Sequence, residues 1–150
     1  MPRKRRVSKN YKELPFVTNI EQQTLQNTDY RRVLYTDGNL QLVLMSVPVG
    51  EEVGMEIHPH TTQFIRVESG QARVVLKGTP PSSHGNKRRS SRGRSVLDLE
   101  PGDVVVVPFN TYHNVINASP TEPLQLYTIY APAEHAPREV QVTKAIKKTN

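Results

Sequence analysis

Gly102-Asp103-Val104-Val105-Val106-Val107-Pro108-Phe109-Asn110-Thr111-Tyr112-His113-Asn114-Val115-Ile116-Asn117 reads as a strand, a Pro/Asn turn and a second strand. Upstream lies Gly50-Glu51-Glu52-Val53-Gly54-Met55-Glu56-Ile57-His58-Pro59-His60-Thr61-Thr62-Gln63, and that run closes at Gly70. Side chains on a strand alternate with period two, so His58 and His60 are expected on one face. His113 from another strand, with an oxygen donor nearby, would complete a pocket for one divalent cation. Imidazole with an amide or carboxylate oxygen suits Fe, Mn, Ni, Co or Zn better than Mg or Ca. A single strand histidine is more often a structural hydrogen-bonding residue. The joint spacing with Gly50, Gly70, Gly102, Pro108 and Asn117 is what favours a metal site.

Working outward, short β-branched runs recur at residues 32–36, 40–47, 54–58, 63–68, 72–77, 95–99, 103–107, 113–117 and 124–130. Asp37-Gly38, Pro48-Val49-Gly50, Ser69-Gly70, Pro101-Gly102 and Ser119-Pro120 punctuate them. Many short strands with Gly/Pro turns and no helical periodicity predict an all-β sandwich or barrel. Val104 to Val107 is apolar on both faces, which fits a buried strand. Residues 79–94 break the rhythm with Pro, Ser, Gly and Arg, and are expected to form a mobile loop between two strands. Residues 131–150 are expected to leave the sheet through Pro132 and Pro137 and end as a tail.

The chain of 150 residues suits one domain with a real core. No cysteine is present, which excludes disulfides and thiolate chemistry. No run approaches the roughly 18 apolar residues of a membrane span, and no apolar segment follows the basic N-terminus as in a secretory signal. An intracellular, cytoplasmic protein is expected, with a nuclear address readable from the basic arm. The net charge of +6 is uneven. Residues 1–12 and 79–94 carry eleven bases and no acid, and the remainder sums to −5. Basic appendages on an acidic body concern partners, not fold. Arg3, Lys4, Arg5, Arg6, Lys87, Arg88, Arg89, Arg92 and Arg94 are the candidate contacts to a nucleic acid or other polyanion, or simply a solvated coat. No aromatic residue interleaves them, so such contact would be weak, nonspecific and phosphate-driven.

The two quoted stretches resemble the paired motifs of the cupins. The second fits from Gly102 through Pro108 and His113 to Asn117, with Asn110 where an inner glycine is usual. Asn tolerates positive φ in a turn, so the exchange is mild. In the first stretch Gln63 replaces the usual glutamate, and the loop from His60 is one residue short. Tyr30-Arg31-Arg32-Val33-Leu34-Tyr35-Thr36, Gln41-Leu42-Val43-Leu44-Met45-Ser46 and Leu126-Tyr127-Thr128-Ile129-Tyr130-Ala131-Pro132 are similar to small single-domain cupins of the mannose-6-phosphate isomerase-like group. The resemblance covers roughly residues 18–145. It implies an all-β cupin jelly roll, a double-stranded β-helix barrel, over residues 16–135, with residues 79–94 as a basic insertion. A disordered basic arm (1–15) and a tail (136–150) would flank it. It also implies a homodimer and a single transition-metal ion on His58, His60, Gln63 and His113.

Glu56 precedes His58 by two residues and should face the same interior. It is the candidate acid or base, or a substitute ligand, against the plainer reading of a carboxylate paired with Arg or exposed at the mouth. Tyr112 and Tyr127 are candidates to line the pocket, though aromatics in a small barrel are more often core. His84 and His135 lack ligand spacing and are expected in solvent. Three readings follow: a metal-dependent isomerase or dioxygenase acting on a small carbohydrate or organic acid, a non-catalytic cupin binding such a ligand, or a dimeric scaffold whose basic segments bind nucleic acid or an acidic partner.

Overall fold

The computed structural model describes residues 14–78, 88–91 and 93–145. The strands are β1 (Arg31–Thr36), β2 (Gln41–Val47), β3 (Thr62–Ser69), β4 (Ala72–Lys77), β5 (Arg88–Ser91), β6 (Arg94–Leu99), β7 (Val104–Val107), β8 (His113–Asn117), β9 (Leu124–Ala131) and β10 (Val140–Gln141). One helix, α1 (Ile20–Gln26), precedes them. The strands form two antiparallel sheets, ordered β10-β1-β2-β9-β3-β7 and β5-β6-β4-β8. Isolated bridges from Glu52 to Ile116 and from Glu56 to His113 lay residues 50–56 along the free side of β8.

Alternation builds the core. Along β9, Leu124, Leu126, Thr128 and Tyr130 are buried while their neighbours face outward. Val43, Met45, Val47, Ile65 and Val67 of the larger sheet meet Val74, Leu76, Leu97, Leu99 and Val115 of the smaller one. Burial of these facing apolar layers is the main force holding the sheets together. Gly70 turns β3 into β4 at φ +87, and a Cβ there would stand 2.5 Å from the Pro123 carbonyl oxygen. Only glycine suits both constraints. Asn117 closes β8 by donating to the Val47 and Glu122 carbonyls at 3.0 and 2.9 Å. Asn110 takes φ 59, the left-handed turn expected of it.

Several expectations are corrected. Residues 54–58 form no continuous strand, because Gly54 takes φ 102 and the chain bends at Met55, leaving an isolated bridge at Glu56 before the turn at Pro59-His60. Val104 and Val106 are exposed, since β7 is a sheet edge with one buried face. Within the expected loop 79–94, Arg88 and Arg89 belong to β5, which pairs with β6, and Arg94 opens β6. The expected tail returns to the sheet, where Gln141 pairs with Arg31. Arg3, Lys4, Arg5, Arg6, His84, Lys87 and Arg92 lie outside the described residues. Among the described residues, no helix is long and apolar enough to cross a membrane.

Candidate metal centre

Glu56, His58, Gln63 and His113 converge inside the barrel, each held by different backbone. Glu56 and His113 exchange two backbone hydrogen bonds, at 2.9 and 3.0 Å, which sets their side chains together. The His58 carbonyl accepts from Asn110 N–H at 2.7 Å, so the turn before His113 also fixes the loop carrying His58. Gln63 lies on the inner face of β3, opposite Tyr130 and Val107.

Ligating atoms of Glu56, His58 and His113 all lie within 4.8 Å of one another. Glu56 Oε1 stands 3.6 Å from His58 Nε2 and 4.0 Å from His113 Nε2. Gln63 Oε1 stands 3.0 Å from His113 Nε2, while its amide nitrogen donates to Thr128 Oγ1 at 3.0 Å. The imidazole rings of His58 and His113 are tilted, with centroids 5.3 Å apart. His58 also meets the edge of Tyr130, whose other neighbour is His135 at 5.0 Å.

The ring nitrogens divide their work. His113 Nδ1 lies 2.9 Å from the Thr111 carbonyl oxygen, which can only accept, so Nδ1 carries the proton. Burial, only partly opposed by that carbonyl, lowers the His113 pKa and keeps the ring neutral, which leaves a lone pair on Nε2. His58 Nδ1 faces Glu134 Oε2 at 3.5 Å, and its Nε2 is buried without a hydrogen-bond partner. Metal-ligating histidines characteristically engage the second nitrogen with a carbonyl or carboxylate in this way. Two donors about 2.1 Å from one ion stand roughly 3.0 Å apart at a right angle and about 4.2 Å apart in line. The observed 3.0, 3.6 and 4.0 Å separations fall in that span. These residues therefore fit a divalent cation.

Electrostatics are consistent with that fit. Burial disfavours charge on both Glu56 and His58, but each offsets it in the other. The Glu56 pKa falls through the close approach and positive charge of His58, and then through His113 and Arg31. The His58 pKa rises through Glu56 and Glu134 despite burial.

His60 does not join the group; it is exposed on the turn after Pro59. Tyr127 stacks on Phe64 outside the barrel, and Tyr112 is exposed. Tyr130 lines the site instead. His135 is not free in solvent, since its ring packs on Tyr130 and Nδ1 faces Glu139 Oε2 at 3.3 Å. Reading the sequence missed Tyr130, Glu134, His135 and Arg31. Alternation could have found Arg31, which shares the parity of Val33, and Tyr130, which shares that of Leu126. Nothing local marks Glu134 or His135, because a long-range return of the chain places them.

The family sequence model described as Cupin domain matches residues 43–130. The chain is 43% identical over 137 residues to the protein YrkC of Bacillus subtilis, spanning 91% of this chain and 68% of that one. The crystal structure of BH2720 from Bacillus halodurans superposes with TM-score 0.74 at 38% identity, covering 88% of this chain and 92% of that one. Oxalate decarboxylase OxdC of Bacillus subtilis, a protein with Mn(II) centres, matches at TM-score 0.51 and 26% identity. That match covers 65% of this chain and 23% of the decarboxylase.

Proposed function

The chain belongs to the cupin family, and from that premise we propose that it holds one divalent transition-metal ion on His58, His113, Gln63 and Glu56 and binds or transforms a small carbohydrate or organic acid there. One observation carries the reading: His58 Nε2 and His113 Nε2 both face Glu56 Oε1 in a shared interior, with His113 Nδ1 held by the Thr111 carbonyl and His58 Nδ1 3.5 Å from Glu134 Oε2. Iron, manganese, nickel, cobalt and zinc all suit this donor set, and the Mn(II) centres of oxalate decarboxylase make manganese the first ion to try. The bound ion would supply Lewis-acid polarisation of a ligand oxygen.

The remaining steps belong to the chain. Glu56 is half-buried, with an unprotonated carboxylate favoured by His58. Its free oxygen is placed to accept a proton from a C–H or O–H of the ligand and to return it. Tyr130 is fully buried, and its raised pKa keeps it neutral as a wall of the pocket. Thr128 fixes the amide of Gln63. Glu56→Gln, which keeps an oxygen donor but removes the base, should therefore lower turnover more than ligand binding.

The test is metal analysis of the purified chain beside His58→Ala/His113→Ala. Close to one ion per chain, lost in the double variant, supports the reading. Equal metal content in both would refute it.

A further inference from the structure

Gln41 is a buried amide with every hydrogen-bonding position in use. Alternation along β2 sends Gln41, Val43, Met45 and Val47 into the interior, and Gln41 is fully buried. Its nitrogen donates to Thr36 Oγ1 at 3.0 Å and to the His135 carbonyl at 2.8 Å. Its oxygen accepts from Glu134 N–H at 3.2 Å and from His135 N–H at 2.9 Å. An amide has two donors and two lone pairs, so none is left over. Burying a polar side chain is unfavourable unless it is paired in this way. Three of the four bonds go to the backbone of two adjacent residues far along the chain.

Those two residues belong to a strap. The chain leaves β9 at Ala131 and rejoins the sheet at β10. In between it is held at three points. Thr61 Oγ1 donates to the Pro132 carbonyl at 3.1 Å, Gln41 grips Glu134 and His135, and Val33 N–H donates to the Glu139 carbonyl at 2.9 Å. Register sets Gln41 beside Tyr130 and Tyr130 beside Gln63, one inner row that runs from the strap to the metal centre.

The strap faces His58. Glu134 Oε2 stands 3.5 Å from His58 Nδ1. His135 packs on Tyr130, whose ring meets His58 edge-on at 5.7 Å. His58 lies outside the strands, so no ladder pairing orients its ring. A carboxylate beside Nδ1 attracts an N–H and repels a lone pair. It therefore favours the proton on Nδ1 and leaves the lone pair of Nε2 for the interior.

We propose that Gln41 and Glu134 are positioning residues of the metal centre: Gln41 clamps the strap, and the clamped strap holds Glu134 against His58 Nδ1 so that Nε2 faces the ion. The inference rests on the metal-centre reading and adds to it what orients His58.

The experiment measures zinc affinity of the full chain by competition with a chelating dye, together with Tm and the tautomer of metal-free His58 by 15N–1H correlation at alkaline pH. Glu134→Ala should weaken zinc by about tenfold or more, as loss of an outer partner of a ligating histidine does. Glu134→Gln keeps a neutral acceptor and should fall between. Gln41→Met keeps the volume without the amide and should weaken zinc to a similar degree while lowering Tm. Gln41→Glu keeps the two accepted bonds and loses the donated ones; it tests the clamp if Gln41→Met does not fold, and should also bind zinc more weakly than the parent. Combining Gln41→Met or Gln41→Glu with Glu134→Ala should cost no more than the larger single loss, because both act on His58 through one strap. The His58 proton should lie on Nδ1 in the parent and shift toward Nε2 in Glu134→Ala. Unchanged zinc affinity or an unchanged tautomer in Glu134→Ala would overturn the proposal. Parent-like zinc affinity in the Gln41 variants, whatever their Tm, or additive losses in the double variant, would overturn the clamp. A parent chain that takes up no zinc refutes the metal centre alone, and the tautomer of His58 then decides the role of Glu134.

Discussion

His113 explains why Gln63 matters. With its proton on Nδ1, His113 turns a lone pair toward Gln63 Oε1 at 3.0 Å, and two acceptors repel unless something lies between them. A cation answers that requirement with the amide as placed; without one, the amide gains by turning its NH2 to His113 and its oxygen to the Thr128 hydroxyl. Gln63→Glu adds charge to the donor set and should tighten metal binding by about tenfold, and Gln63→Ala should weaken it by a similar factor. Competition with a chelating dye measures both. Identical affinities across the three proteins would remove Gln63 from the ligand set. At this scale the sequence was readable where spacing sufficed: Glu56, His58, Gln63 and His113 all come together. His60 was misplaced because the chain turns at Pro59-His60, where period-two reasoning assumed a strand.

Turns show which motif residues shape the elements. Gly70 and Gly102 both have positive φ, but a Cβ at Gly70 collides with the Pro123 carbonyl while one at Gly102 meets nothing within 4 Å. Gly70→Ala should cost about 2–4 kcal/mol, from backbone strain plus the clash, and Gly102→Ala about 1–2 kcal/mol, from strain alone. Denaturant unfolding of the two variants would show it, and equal losses would contradict the close approach. The strands of the core were legible where apolar alternation specifies them, as in β4 and β9. The helix α1 was not: Ile20–Gln26 buries only Thr24, so it has no apolar stripe to read, and its start rests on Asn19 accepting from Gln22 N–H at 2.9 Å. Nor was β5, an Arg/Ser segment paired through a hairpin with no hydrophobic pattern.

For the whole molecule, metal binding and pH are linked. His113 and His135 are held below the usual 6.5, first by burial, so the unfolded chain binds protons more readily and stability falls as pH drops below that value. Glu56, held below 4.5, adds a second loss as pH falls further. His58 has the opposite sign: its raised pKa favours the folded state below 6.5, and that contribution disappears as pH rises through the folded value. Metal must displace the His58 proton, so its stabilising effect should be large at pH 8 and nearly gone at about pH 5.5. Thermal unfolding with and without Mn(II) or Zn(II) at the two pH values measures this. A metal-induced rise in Tm that is equal at both would contradict the linkage.

The Nε2 atoms of His58 and His113 are observed directly by 15N–1H correlation of the histidine side chains during a Zn(II) titration. Metal-free His113 should carry its proton on Nδ1. One equivalent of zinc should then shift Nε2 of His113 and of His58 together, with His60 unmoved. A His113 protonated on Nε2, or zinc shifts confined to His60, would contradict the metal centre.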